Sequence, residues 1–200
     1  MDSVLRYFLP AYLIVYLAAA FFLRSFLVWK RTGVNPYVLG KRDNAHDFVG
    51  MLFRLTMVAI VAVVILYAVS NRAYRYLTPI FWLDQPMLKY AGLFLLAVSF
   101  IWVLVAQAQM GNSWRIGIDA DAKTPLVTHG VFGISRNPIF LSMRVTLLGF
   151  FLLLPNAVML AALVLGEALM QIQVRLEEEY LHRTHGEEYR NYCHRTRRWL

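Results

Sequence analysis

Glu167, Gln171, Arg175 and Glu178 recur at intervals of four, four and three, and His182 continues the line. That spacing places them on one face of a helix. The face lies on an otherwise apolar stretch, and a polar stripe on a membrane helix turns toward a partner helix or a wet cavity rather than lipid. Arg144 sits eleven residues before a break at Pro155-Asn156, and Glu167 twelve after it. In an antiparallel hairpin these two charges fall at nearly the same depth, with Arg144 roughly 9 Å inside the end at Pro138. Carboxylates so placed can hold a cationic group or receive a proton, and a guanidinium can orient a carboxylate bidentately. A structural reading competes with this one: an ion pair between Arg144 and Glu167, and a solvated helix end carrying Arg175 and Glu178.

The elements that must position these residues are legible in the composition. Hydrophobic residues make up 59% of the 200-residue chain, charged residues only 16%, and the mean hydropathy is +0.51. A soluble domain is nearer half apolar and a quarter charged. The chain therefore reads as an all-α integral membrane protein of one domain. Five spans are expected, over about 7–29, 48–69, 88–106, 138–154 and from 157 past Arg175. The last two form a C-terminal helical hairpin, followed by a capping tail. Residues 1–108 make a three-helix membrane part, and 109–200 a loop, the hairpin and the cap. Pro10 is expected in the first turn of the first helix, and Gln107 opens the longest polar interval, which closes at Asn137. Trp114 and Arg115 in that interval line the mouth of a cavity or anchor at the interface.

Charge fixes an orientation. With five spans, the first loop, the long loop and the tail share one side and carry thirteen of the 20 Lys and Arg residues; the other side carries four. The remaining three, Arg24, Arg54 and Arg144, lie within spans. Positive residues accumulate on the cytosolic side, so the tail and the polar clusters are expected to face the cytosol. The formal net charge of +8 is thus a topology signal, and no nucleic-acid partner is expected. Arg195, Arg197 and Arg198 are expected at anionic headgroups. A lone cysteine, Cys193, excludes an internal disulfide. His182 and His185 read as a solvated helix end, so no metal is expected. No glycine pattern marks a dinucleotide fold.

Two motifs add a resemblance. Leu126-Val127-Thr128-His129-Gly130-Val131-Phe132, then Arg136-Asn137-Pro138 and Phe140, resembles the L-V-T-x-G-x-Y…R-H-P-x-Y stretch of isoprenylcysteine carboxyl methyltransferases. Glu177-Glu178, Leu181, Gly186, Glu188-Tyr189, Tyr192 and Arg195 resemble that family's E-E-x-x-L-x-x-x-x-G-x-E-Y-x-x-Y-x-x-R ending. Phospholipid N-methyltransferases share a looser version. The resemblance spans roughly Leu126 to Arg195.

It implies a membrane-embedded methyltransferase that binds S-adenosylmethionine in a cytosolic pocket capped by the C-terminal segment. Its acceptor would be a lipophilic or lipid-modified molecule reached from the bilayer: a prenylcysteine-like carboxylate, a lipid amine or a hydrophobic thiol. Gly130, Phe132, Arg136, Asn137 and Pro138 would shape the cofactor pocket, and Val127 and His129 would offer backbone contacts. Glu177 and Glu178 would close it, and Tyr189 and Tyr192 would hold the cap. Arg144, Arg175 and Glu178 are the catalytic candidates. The chain departs from the family pattern at Asn137, where His is usual, at Phe132 and Phe140, where Tyr is usual, and at Ser142, where Gly is common. Two other readings remain: a nicotinamide-dependent lipid reductase, whose relatives carry about twice as many spans, and a non-catalytic membrane module.

Overall fold

The computed structural model describes residues 2–37, 45–115 and 124–200. The loop residues 40–44 and 117–123, with Lys41, Arg42 and Lys123 of the charge count, lie outside them. Helix α1 (Asp2–Leu17) passes through a π-helical segment, Ala18–Leu23, directly into α2 (Arg24–Thr32). Pro10 therefore sits well inside a helix that starts at Asp2, not in its first turn as expected. Widening to π pitch shifts the backbone pairing, and the buried Gln107 Nε2 donates to the Ala20 carbonyl at 2.8 Å. Gly33 ends α2 in a left-handed conformation, φ 71°, its N–H donating to Trp29 O, a backbone state open to residues without a Cβ.

Helix α3 (Ala45–Val69) is followed by the short α4 (Asn71–Arg75), whose N-cap Ser70 accepts from the Ala73 N–H. Helix α5 (Pro86–Met110) extends past its expected end, so Gln107 and Gln109 belong to a helix and not to the polar interval. Helices α6 (Pro138–Leu153) and α7 (Ala157–His185) follow, then α8 (Glu187–Arg195). Both α5 and α6 open on proline, which needs no amide hydrogen there. Among the described residues there is no strand, and Pro79 and Asn156 form an isolated antiparallel bridge.

Four helical stretches are long and apolar enough to cross a membrane: Asp2–Thr32, Ala45–Val69, Pro86–Ser113 and Ala157–His185. The fourth expected span is the exception. Helix α6 has 16 residues, about 24 Å, against a hydrocarbon core of about 30 Å.

The long helices alternate in direction. At one end Arg6 meets Asn71, Lys89 meets Asp2 and Asp84 at 2.6 Å each, and Ile80 N–H donates to Pro155 O at 2.8 Å. Asn156 is fully buried there and caps α7 through Met159 N–H. At the other end Arg24 reaches Gly111 O, and Arg136 reaches Glu178. The core between the ends joins Leu5, Leu9, Ile60, Val64, Leu96, Phe150 and Leu153. Helices α5 and α6 approach closest at Gly92 and Gly149, where a Cβ on Gly92 would lie 2.9 Å from Gly149 O. Buried hydroxyls bridge the same pair: Ser142 Oγ donates to Ser99 O at 3.0 Å, and Thr146 Oγ1 to Ser99 Oγ at 2.9 Å. Ser142 thus fits where the family favours Gly by bonding across the helix pair. Phe22, Ile14, Val58, Phe94, Ile101 and Val164 stand exposed on the outside, the surface a bilayer covers.

Candidate functional site

The loop before α6 is shaped by its own backbone needs. Gly130 has φ 62°, and a Cβ there would lie 2.3 Å from the Gln109 side chain. Gln109 occupies that space because its Oε1 accepts from Val131 N–H at 2.8 Å. The turn Gly130–Gly133 follows, with Phe132 buried and its carbonyl accepting from the Tyr192 hydroxyl. A tyrosine at 132 would place a hydroxyl in that buried position, so the phenylalanine matches an apolar slot.

From this turn the chain enters α6 through Ser135, Arg136 and Asn137, and all three bind the C-terminal tail. Arg136 N–H donates to Arg197 O at 2.9 Å, and its Nη1 to Thr196 O at 2.7 Å. Ser135 Oγ and Asn137 Nδ2 donate to Arg198 O at 3.3 and 3.2 Å.

One carboxylate gathers these parts. Glu178, buried on α7, accepts from Arg136 Nε and Nη2 at 3.3 and 3.1 Å, from Asn137 Nδ2 at 3.2 Å, and from Arg198 Nη2 at 2.7 Å. Asn137 needs only an amide N–H for this role, which explains how it serves where His is usual. The Glu178 bond raises the pKa of Arg198 above its ordinary value. Behind the carboxylate, Tyr189 and Tyr192 pack edge to face, and His182 packs against Tyr189. Burial pushes the Tyr189 hydroxyl up and the Tyr192 hydroxyl up to about 12.

Beside this knot lies a cavity of about 650 Å³, within the range of small-molecule sites. Aromatic and thioether groups from several helices form most of its wall, among them Phe21, Phe53, Met57, Phe140 and Met143. Ser25, Arg54, Trp114, Arg115, Gln173 and Glu177 supply its polar groups. Three of these present buried atoms with no hydrogen-bond partner: Ser25 Oγ, Trp114 Nε1 and Gln173 Oε1. Unsatisfied buried polar atoms are rare in folded proteins, and three on residues that line one cavity point to a polar ligand there. The other end of Gln173 is engaged, its Nε2 donating to Glu177 Oε1 at 3.0 Å.

The two adjacent acids therefore do different things. Successive residues on an α-helix point about 100° apart, so Glu178 turns into the tail knot while Glu177 lines the cavity. Arg144 and Glu167 form the ion pair of the competing structural reading, Nε to Oε2 at 2.6 Å, and Trp199 lies with its ring centroid 4.3 Å from the guanidinium. Glu167 Oε1 also accepts from Gln171 Nε2 at 2.9 Å.

Arg175 stands apart: exposed, it donates to the Gln171 carbonyl and side chain on its own helix, at 2.6 and 2.9 Å. Val127 and His129 precede the Gly130 turn and are not among the Glu178 donors Arg136, Asn137 and Arg198; His129 is exposed. Pro138 is buried, its carbonyl accepting from Trp102 Nε1 at 3.1 Å. Arg198 corrects an expectation, since it turns inward to Glu178 and not out to headgroups. Arg198, Trp199 and Gln173 are the site residues that motif spacing missed, because nothing in the local pattern of a short tail says what it folds against.

The family model described as phospholipid methyltransferase matches residues 87–188, just over half of the 200-residue chain. No curated protein matches the chain. The matched region contains α5 from Met87, α6, α7 with Glu177, Glu178 and Gln173, and the Glu178 donors Arg136 and Asn137 but not Arg198. It leaves out α3 and the tail.

Proposed function

The chain belongs to the phospholipid methyltransferase family, and from that premise we propose that it transfers a methyl group from S-adenosylmethionine to a lipophilic acceptor at the cytosolic membrane face. The observation that carries this reading is the cavity beside Glu178, apolar over most of its wall yet bearing unsatisfied polar atoms.

The residues present fit S-adenosylmethionine. Glu177 and the free acceptor atom Gln173 Oε1 suit its cationic groups, while Trp114 Nε1 offers a donor. Phe21, Phe53, Phe140 and the Trp114 ring suit a purine face. When bound, the cofactor supplies an activated methyl group on a sulfonium. The chain's own task is then alignment and exclusion of water. Gln173 fixes the Glu177 carboxylate, which holds a cation by charge or takes the proton of an amine or thiol acceptor. Glu178 binds no ligand in this scheme: it fastens the tail over the loop and so holds the cavity's floor in place. Arg144, paired to Glu167 and covered by Trp199, keeps the α6–α7 contact at depth.

Helix α6 runs between the same two ends as the neighbouring stretch of α7, which supports a reading with five crossings despite its shortness. On that topology the positive-charge bias places the tail and cavity on the cytosolic side. The whole chain then acts as one unit, with residues 1–108 walling the cavity and 109–200 carrying the cofactor contacts.

Calorimetric titration of S-adenosylmethionine, and separately of NADPH, into the protein in lipid nanodiscs tests this. Saturable binding of S-adenosylmethionine alone is the expected result. Binding of NADPH alone overturns the reading in favour of a reductase, and binding of neither, by folded protein, in favour of a non-catalytic module.

A further inference from the structure

Arg54 lines the cavity from α3, in a wall that is otherwise mostly apolar. It sits nine residues after the start of α3 at Ala45, about 13 Å along the axis. No hydrogen bond or ion pair to Arg54 is found among the described residues. The other two arginines within spans are engaged, Arg24 with Gly111 O and Arg144 with Glu167. Arg54 is exposed, and a guanidinium without a protein partner on a membrane helix is open to an anion, its planar fork matching a carboxylate or phosphate with two parallel bonds.

We propose that Arg54 is a specificity-determining residue that anchors an anionic group, a phosphate or carboxylate, of the lipophilic acceptor. The inference rests on the methyltransferase reading for the word acceptor, but the anion site itself does not. Residue 54, on α3, lies outside the family match over 87–188. The same cavity bears Glu177 and the orphan Gln173 Oε1 on α7, which repel an anion. The anionic group is therefore directed toward the lining arginines, Arg54 on α3 and Arg115, and away from the acidic wall. An arginine that merely snorkels to bilayer phosphates would give no such selectivity.

The probes are dodecyl phosphate and dodecanol, equal in chain and different in charge. Each is titrated calorimetrically into wild type, Arg54→Gln and Arg54→Lys, in dodecyl maltoside and in phosphatidylcholine nanodiscs, with protein-free micelles and discs as reference. Wild type is expected to bind dodecyl phosphate at least tenfold more tightly than dodecanol in both media. Arg54→Gln is expected to erase that preference, and Arg54→Lys to keep part of it. An undiminished preference in Arg54→Gln overturns the proposal. So does a preference present in detergent and absent in nanodiscs, because bilayer phosphates then occupy Arg54. Thermal melting of each variant checks that it is folded, and S-adenosylmethionine binding is measured on wild type alongside. Its failure in wild type sinks the methyltransferase reading and leaves the anion site standing on the probe data.

Discussion

Arg198, near the C-terminus, donates to both oxygens of the Glu178 carboxylate: Nε to Oε1 at 3.1 Å and to Oε2 at 3.0 Å, and Nη2 to Oε2 at 2.7 Å. Arg136 holds the same carboxylate from the start of α6. The tail, the loop before α6 and the end of α7 are thus joined at one buried acid, and the cavity borders that joint.

Glu178→Gln should therefore destabilise the protein and not simply weaken a ligand. Removing the acid leaves Arg136 and Arg198 facing each other without compensation, a loss of about 3 kcal/mol for a broken buried pair. Thermal unfolding in detergent should fall, and proteolysis should reach the C-terminal tail. A variant with unchanged melting and a protected tail would remove Glu178 from the structural role.

Glu177→Gln should behave in the opposite way. The amide keeps the bond to Gln173 and the shape of the wall, so melting should change little. Affinity for S-adenosylmethionine should drop about tenfold, or 1.4 kcal/mol. Calorimetry on both variants separates the two acids, and equal behaviour would contradict their division of labour.

Arg144→Leu or Glu167→Leu alone strands a charge at depth, costing about 3 kcal/mol. The double variant should recover most of that stability and its turnover. Recovery of melting without turnover would instead give Arg144 a direct part in the reaction.

Gly92→Ala should loosen the contact between α5 and α6. Its new methyl would lie 2.8 Å from Leu153 Cγ and 2.9 Å from Gly149 O, and the carbonyl cannot swing aside as a flexible side chain can. Overpacking of this kind costs about 1–3 kcal/mol. Gly33→Ala makes a control, because nothing lies within 4 Å of its Cβ and only its φ is strained. A smaller melting shift at Gly92 than at Gly33 would show that the helix contact is slack.

The tail's stability should fail at high pH. Burial raises the Tyr192 hydroxyl from 10.0 to about 12, so the folded state retains a proton that the unfolded chain releases. The contribution is complete below about pH 10 and is lost as pH rises toward 12. Melting followed over pH 8–12 should fall across that window, and Tyr192→Phe should flatten the fall. A profile unaltered by the substitution would assign the loss to other groups.

What the sequence determined by itself is the part governed by local pattern. Apolar runs located the helices to within a few residues, since a backbone in lipid must satisfy its own hydrogen bonds within a helix. Nearly equal distances from Pro155, eleven and twelve residues, put Arg144 and Glu167 at one depth, where they meet. The polar spacing from Glu167 to Glu178 was legible too, although Arg175 shares that spacing and bonds only to its own helix. Where local pattern stops, the tertiary structure decides. Glu177 and Glu178 look equivalent in sequence, and only the packing of the tail against α7 gives one to the knot and the other to the cavity. Arg198 and Trp199 look like a basic, interfacial ending until the fold returns them to Glu178 and Arg144. The orphan atoms of Ser25, Trp114 and Gln173 belong to the same class. Each depends on residues far apart in the chain meeting across helices, and such a meeting leaves no periodic trace in any one segment.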